Sequence, residues 1–368
     1  VNILLTGIFY NGHGFAEGNR VLLNILDRAG FRIRIEPLDM NEKYSVLPDA
    51  EIRYISSFEQ TELSSNDIYI CNWIGPEVKV NPDFRVNIVR TTFETDRIPE
   101  QWVPKLNQFD EVWVQCKFNE QTFRGSGVTV PLRLVPNFFD LSQYKPYGEK
   151  LELPVDKSFL LLSVFDMQER KGFDILLDAY LSEFTADDDI ALVMKIRDTS
   201  RVNWLEQVIS EHPKSACDKP VVYLIDEMLE IPTLMALYRT CHAFVLPTRG
   251  EGWGRPFFEA MLMELPVIGT AWSGQMEFMN AGNSFPVRID RFEKISNNEF
   301  EMFDGHYWAK PSLEDLRKKM RYVYNNQKLA KSVGKYARLN LLTRFDIERT
   351  MEIVIQAIQK YGGEISFR

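Results

Sequence analysis

A chain of 368 residues is too long for one compact core and fits two domains of ordinary size. Its composition, 45% hydrophobic, 26% charged and 12% aromatic, excludes a disordered chain, and a formal charge of −9 argues against nonspecific nucleic-acid binding, which depends on basic patches. No apolar run approaches the ~20 residues of a membrane span and no signal peptide precedes the first apolar run, so a cytoplasmic location is expected, with attachment to a membrane surface left open.

Strand and helix signals alternate from the start. Residues 1–6 form a short apolar run, a glycine-rich turn follows, and residues 16–27 read as a helix that Gly30 closes. Residues 31–36 then alternate with the period of a strand. Further strands are expected at 67–71, 86–91, 111–115 and 132–135, with helices at 99–109 and 117–124. A polar stretch with Pro146, Gly148 and Pro154 interrupts the pattern and reads as an interdomain linker.

The alternation restarts with a strand at 159–164, a helix at 173–181 and a strand at 190–196. Strands at 221–225, 243–247 and 266–270 follow, with helices near 233–239 and 256–264 between them. Beyond Pro311 the pattern is helical, with Ser312 as a helix cap, and the last helix, at 346–360, has the position to cross back to the first domain. The reading is an α/β protein: residues 1–150 and 151–345 as two facing Rossmann-like domains with parallel sheets, and 346–368 as a helical C-terminus.

The four cysteines, Cys71, Cys116, Cys217 and Cys241, lack C-x-x-C spacing, and three fall in or beside apolar runs, as buried thiols of a reducing compartment do. His212, His242 and His306 show no catalytic spacing. No cluster has the spacing of metal ligands.

Ligands of such sheets bind beyond the carboxyl ends of the strands. The richest loop there is Leu246-Pro-Thr-Arg-Gly-Glu-Gly-Trp-Gly-Arg-Pro-Phe-Phe-Glu-Ala-Met261. A strand ends at Pro247, three glycines follow, and a helix begins near Pro256, where proline sacrifices no hydrogen bond. The free N–H groups and positive end of that helix suit an anion such as a diphosphate, and Gly250, Gly252 and Gly254 let a ligand approach the backbone. Glu251 before the helix and Glu259 within it are placed to accept hydrogen bonds from different hydroxyls of one extended ligand.

This segment, continued by Leu265-Pro-Val-Ile-Gly-Thr-Ala-Trp-Ser-Gly274, resembles the E-x7-E signature of the GT-B-fold retaining glycosyltransferases, family 4. The residues 168–179, with Lys171-Gly172, are similar to the family's Lys-Gly segment, and residues 109–114 and 135–137 to its acceptor-domain strands. The resemblance implies a nucleoside diphosphate sugar as donor, a glycan, glycolipid or small-molecule hydroxyl as acceptor, and neither metal nor cofactor. It implies that Glu251 meets the donor sugar hydroxyls and Glu259 the ribose. Lys171 neutralises the diphosphate, and backbone N–H groups around Trp253, Gly254 and Arg255 hold phosphate or sugar.

Two departures stand out. Phe165 occupies the place of an arginine common in relatives, with Arg170 and Arg197 as candidates for the missing charge. The stretch 91–99 lacks the acceptor-domain histidine, leaving Glu94 or Asp96 to position the acceptor or take its proton. The loop Asn11-Gly-His-Gly-Phe-Ala-Glu-Gly18 is expected to touch donor phosphate or acceptor through Gly12, His13 and Gly14. With Glu36 it also imitates a dinucleotide-binding fingerprint, so an NAD-dependent oxidoreductase is one rival. A catalytically inactive nucleotide-sugar- or carbohydrate-binding relative is another. Tryptophans are core by default, with Trp253 and Trp272 the exceptions because both follow strand ends at the site.

Overall fold

The computed structural model describes residues 1–44, 47–74, 78–196 and 202–362. The chain divides into two compact units, Val1–Leu141 with the C-terminal segment from Phe345, and Ser142–Arg344.

In the first unit β1 (Asn2–Gly7), α1 (Gly14–Arg28), β2 (Arg32–Pro37), α2 (Asp49–Ser56), β3 (Ile68–Asn72) and β4 (Val86–Thr91) are followed by α3 (Val103–Leu106), β5 (Glu111–Val114), α4 (Lys117–Gly125) and β6 (Leu132–Leu134). All six strands are parallel, in the order β2-β1-β3-β4-β5-β6. Strands β1, β3 and β4 are buried along their whole length, which accounts for the apolar runs of β1 and β3, while β4 also buries Asn87, Arg90 and Thr91.

The second unit repeats the plan. Strand β7 (Phe159–Phe165) leads through α5 (Phe173–Glu183) to β8 (Ile190–Ile196), then α6 (Val202–Glu211), β9 (Val221–Ile225), α7 (Ile231–Thr240) and β10 (Ala243–Leu246). Helix α8 (Arg255–Leu262), β11 (Val267–Thr270) and β12 (Phe285–Val287) complete a parallel sheet of order β12-β11-β10-β7-β8-β9. An antiparallel hairpin, β13 (Ile289–Lys294) with β14 (Tyr307–Pro311), precedes α9 (Leu313–Asn325) and α10 (Gln327–Arg344). Ser312 caps α9 by accepting from the Asp315 N–H.

The last helix, α11 (Ile347–Gly362), is part of the first unit, where Val354, Ile355, Ala357 and Ile358 join the core around Leu22, Leu26 and Ile33. Its end is fixed by Tyr361, which donates to the buried Glu111 carboxylate at 2.8 Å, and by Arg85, which donates to the Tyr361 carbonyl at 2.5 Å.

Three expectations need correction. The helix expected at 99–109 is a 3-10 turn at Glu100–Trp102 followed by one turn of α-helix, because Pro104 offers no N–H. Helices α2 and α6 were not anticipated. Nor was the β13–β14 hairpin, whose outer strand is half-exposed or exposed throughout and so lacks an apolar period.

Helix α10 lies against the turn after α8 through Gly334, where an added Cβ would sit 2.2 Å from the Glu264 carbonyl oxygen and 2.8 Å from its carbon. Alanine normally gains about 1 kcal/mol over glycine inside a helix. Here the obstacle is backbone, so Gly334→Ala is expected to lower stability by about 1–2 kcal/mol and to lower the melting temperature. An unchanged or higher melting temperature would contradict this close approach.

Candidate functional site

In the second sheet β7 and β10 are neighbours, yet the chain leaves them in opposite directions: β7 continues to β8 on one side, β10 to β11 on the other. This is the topological switch point, and the loops that follow β7 and β10 flank the crevice where ligands of such sheets bind.

The two loops are fastened to each other by their backbones. After β7 a 3-10 turn, Glu169–Lys171, is closed by Gly172 in the left-handed region at φ 68°. A Cβ at Gly172 would lie 2.0 Å from the Pro247 carbonyl oxygen, so the contact with the end of β10 needs glycine. The Arg249 N–H donates to the Arg170 carbonyl at 2.7 Å, and the Arg249 guanidinium grips Asp174 with two bonds of 2.9 and 2.6 Å.

This fastening brings three expected site residues together. The Glu251 carboxylate meets Lys171 Nζ at 2.8 Å through one oxygen and Arg170 Nη1 at 3.0 Å through the other. Arg170 Nη1 also donates to the Gly250 carbonyl at 2.7 Å. All three side chains are buried, between 5% and 8% exposed. Burial alone would raise the Glu251 carboxyl, but Lys171 and then Arg170 outweigh it and hold the group below its ordinary value. Lys171 moves down as well: burial is the larger cause, repulsion from Arg170 adds to it, and Glu251 only partly compensates. The cluster thus buries two cations beside the Glu251 carboxylate, and Asp166 also favours the charged form of Lys171. Cations fixed in this way can receive a bound anion.

Of the two candidates for the charge missing at Phe165, Arg170 lies beside Lys171 and Glu251; Phe165 itself is buried and stacks on Phe173 at 6.0 Å. The other candidate, Arg197, lies outside the described residues.

Beyond Glu251 the glycine-rich loop enters α8, whose cap is Gly254 in the left-handed region at φ 90°. The helix starts at Arg255, one residue before the expected proline. Glu259, one turn in and buried, accepts from the Tyr238 hydroxyl at 3.2 Å and lies 3.7 Å from the Arg255 guanidinium. The Trp253 ring corrects an expectation: it is 3% exposed and packs between Phe258 and Phe278, as a core side chain does. Trp272 is half-buried and meets Phe292 of the hairpin edge-on at 5.4 Å.

Sequence reasoning missed the residue that holds Glu251 from behind. Ser273, at φ 74° and ψ −155°, is a non-glycine residue in a region of backbone space that glycine almost alone adopts. Its hydroxyl accepts the Glu251 N–H at 2.9 Å and donates to Gln275, which donates in turn to the Thr270 carbonyl at 3.0 Å. Its position directly after a strand end was the available signal.

Glu94, Asp96, Gly12, His13 and Gly14 belong to the first unit, whereas the Glu251 cluster belongs to the second. Glu94 is half-buried in the loop after β4, and Asp96 pairs with its neighbour Arg97 at 3.0 Å. His13 caps α1, and Gly14 is its first residue. The N–H groups of Phe9, Tyr10 and Asn11, shortly after β1, are all taken by the buried Asp39 carboxylate at 2.8, 2.8 and 2.9 Å, which fixes the backbone leading into this loop. Arg90, not singled out from the sequence, is buried at the end of β4 and lies over the Phe138 ring at 4.3 Å.

Residues 156–295 match the family model described as glycosyl transferases group 1. The lipopolysaccharide core biosynthesis mannosyltransferase LpsB of Rhizobium meliloti is 24% identical over 159 residues, a match that spans 42% of this chain and 44% of that protein. Among solved structures, a glycosyltransferase from Rickettsia africae aligns with a TM-score of 0.68 at 15% identity over 99% of both chains. Anabaena HepE, in complex with UDP-glucose, aligns with a TM-score of 0.65 at 14% identity over 98% of this chain and 99% of its own. The chain thus has a GT-B fold, with two six-stranded parallel sheets and a helical C-terminus, and its residues 156–295 resemble the group 1 glycosyl transferases.

The pairing has a measurable consequence. Glu251→Gln removes the carboxylate that both buried cations meet and is expected to lower stability at pH 7 by about 3–5 kcal/mol. A depressed carboxyl contributes stability that is complete above its unfolded value, ordinarily 4.5, and is lost as pH falls through its folded value. In urea unfolding the gap between wild type and variant should therefore be wide at pH 7 and narrower at pH 4. A gap independent of pH would show that Glu251 is not the ionised partner.

Proposed function

We propose that this chain is an enzyme that transfers a sugar from a nucleoside diphosphate sugar to a hydroxyl acceptor. On this reading it retains the anomeric configuration and needs no metal ion. The observation that carries the reading is the buried Arg170–Lys171–Glu251 cluster, which fixes two cations side by side at the switch point of the sheet. A departing nucleoside diphosphate accumulates negative charge, and cations already fixed in a water-poor site stabilise it with little rearrangement. In this proposal Lys171 and Arg170 neutralise the diphosphate, the part a divalent ion plays elsewhere.

The other residues take complementary roles. Glu251 holds donor-sugar hydroxyls and Glu259 the ribose, while backbone N–H groups around Trp253, Gly254 and Arg255 hold phosphate at the start of α8. Gly250 and Gly252 keep that loop free of side chains. The bond from the anomeric carbon to the diphosphate breaks as the bond to the acceptor oxygen forms on the same face, and the acceptor proton passes to the departing phosphate oxygen. Glu94, with Gly12, His13 and Gly14, supplies the first unit's contribution to the acceptor or to phosphate. A glycan, a glycolipid or a small hydroxyl compound fits this reading. HepE, which shares the fold, was crystallised with UDP-glucose, and this supports a nucleotide sugar as the donor class.

Screening UDP-, GDP- and ADP-sugars by thermal shift and then by transfer to added hydroxyl acceptors is the direct test. One donor class should raise the melting temperature and support transfer, and a failure of all three would count against the assignment. Lys171→Met should weaken binding of the matching nucleoside diphosphate by tenfold or more, as a loss of roughly 1.5–3 kcal/mol predicts, and leave the free nucleoside nearly unaffected. Equal losses for both, measured by calorimetry, would rule out a phosphate contact.

A further inference from the structure

Charge is distributed unevenly along this chain. Between Asp315 and Asp346 there are nine Lys and Arg residues and no Asp or Glu, in a protein whose formal charge is −9. The part of this stretch in α9 is largely neutralised. Arg317 and Arg321 pair with Glu183 at 3.1 and 2.9 Å, and Lys318 and Lys319 pair with Glu314 and Asp315.

Helix α10 differs. Ala330, Gly334, Ala337 and Leu341 form its buried face. Its opposite face is exposed and carries Lys328, Lys331 and Lys335 among Leu329 (53% exposed), Tyr336 (54%) and Leu339 (64%). Among the described residues no ion pair is made by Lys328 or Lys335, and Lys331 reaches only Glu264, at 4.0 Å.

The surface continues past the helix. Arg338 donates to the Tyr144 carbonyl at 2.7 Å and so ties the segment that follows to α10. That segment exposes Lys150 and, at 75%, Tyr147. Burial pushes the Lys331 ammonium below its ordinary value against the pull of Glu264, and repulsion from Lys335 and Lys150 adds to the effect.

We infer that this face of α10, with Tyr147 and Lys150 beside it, is a docking surface for an anionic lipid membrane. Lysines interleaved with exposed leucine and tyrosine on one side of a helix match what a lipid interface requires: amines at the headgroups and apolar side chains at the acyl boundary. Nucleic acid would use the cations but has no need of exposed leucines. The rest of an acidic chain is repelled by an anionic surface, so the patch also fixes which face turns toward it. This inference is independent of the proposed transfer reaction.

Vesicle co-sedimentation of the full chain tests it, with phosphatidylcholine alone and with phosphatidylcholine containing phosphatidylglycerol, at low and high salt. Binding is expected only to the anionic vesicles and should fall with salt. One lysine near such a surface contributes roughly a fivefold change in affinity, so K328E/K335E should bind at least about tenfold more weakly with an unchanged melting temperature. L329S/L339S should also weaken binding. Absence of binding to anionic vesicles, or wild-type binding by K328E/K335E, would overturn the inference. Transfer from a nucleotide sugar to a soluble acceptor, measured without lipid, is a separate readout, so failure here and failure of the proposed reaction are distinguishable.

Discussion

A carboxylate held out of water between two cations dominates the second unit. Glu251 is held ionised because Lys171 and Arg170 each take one of its oxygens, while burial first and Arg170 second push the Lys171 ammonium below its ordinary value. Isolated buried charges are costly, and pairs recover that cost only when their geometry is good. A site that already buries two cations beside one carboxylate needs little rearrangement to receive an anion.

That arrangement depends on backbone more than on side chains. Gly172 allows the loop after β7 to touch Pro247, Arg249 locks the loops together through the Arg170 carbonyl and Asp174, and Ser273 fixes the Glu251 amide from the far side. The β13–β14 hairpin adds a further support: the Ala309 N–H donates to the Arg249 carbonyl at 3.0 Å, and Arg249 lies over the buried Trp308 ring at 5.6 Å. Parts of the chain far apart in sequence thus converge on the loops that carry the charges.

Much of this was legible in the sequence because buried parallel strands leave continuous apolar runs and switch-point loops concentrate glycine beside charge. Strands β7, β8, β10 and β11 declare themselves in this way, and the residues from Arg249 to Glu259 show why their loop is chemical. Three features were hidden for physical reasons. The hairpin has one exposed face and no apolar period, Ser273 is unusual in its backbone angles and not in its chemistry, and the turn at Glu100–Leu106 is decided by a single missing N–H. The Trp253 side chain was misjudged because a strand end adjoins both the ligand crevice and the core, and its ring turns toward the core.

A crystal structure with a bound nucleoside diphosphate tests the central claim most directly. The account predicts phosphate oxygens within hydrogen-bonding distance of Lys171 and Arg170, with the ribose hydroxyls on Glu259. A diphosphate lodged instead at the Asn11–Gly18 loop, with the Glu251 pairs undisturbed and no ligand near them, would contradict it.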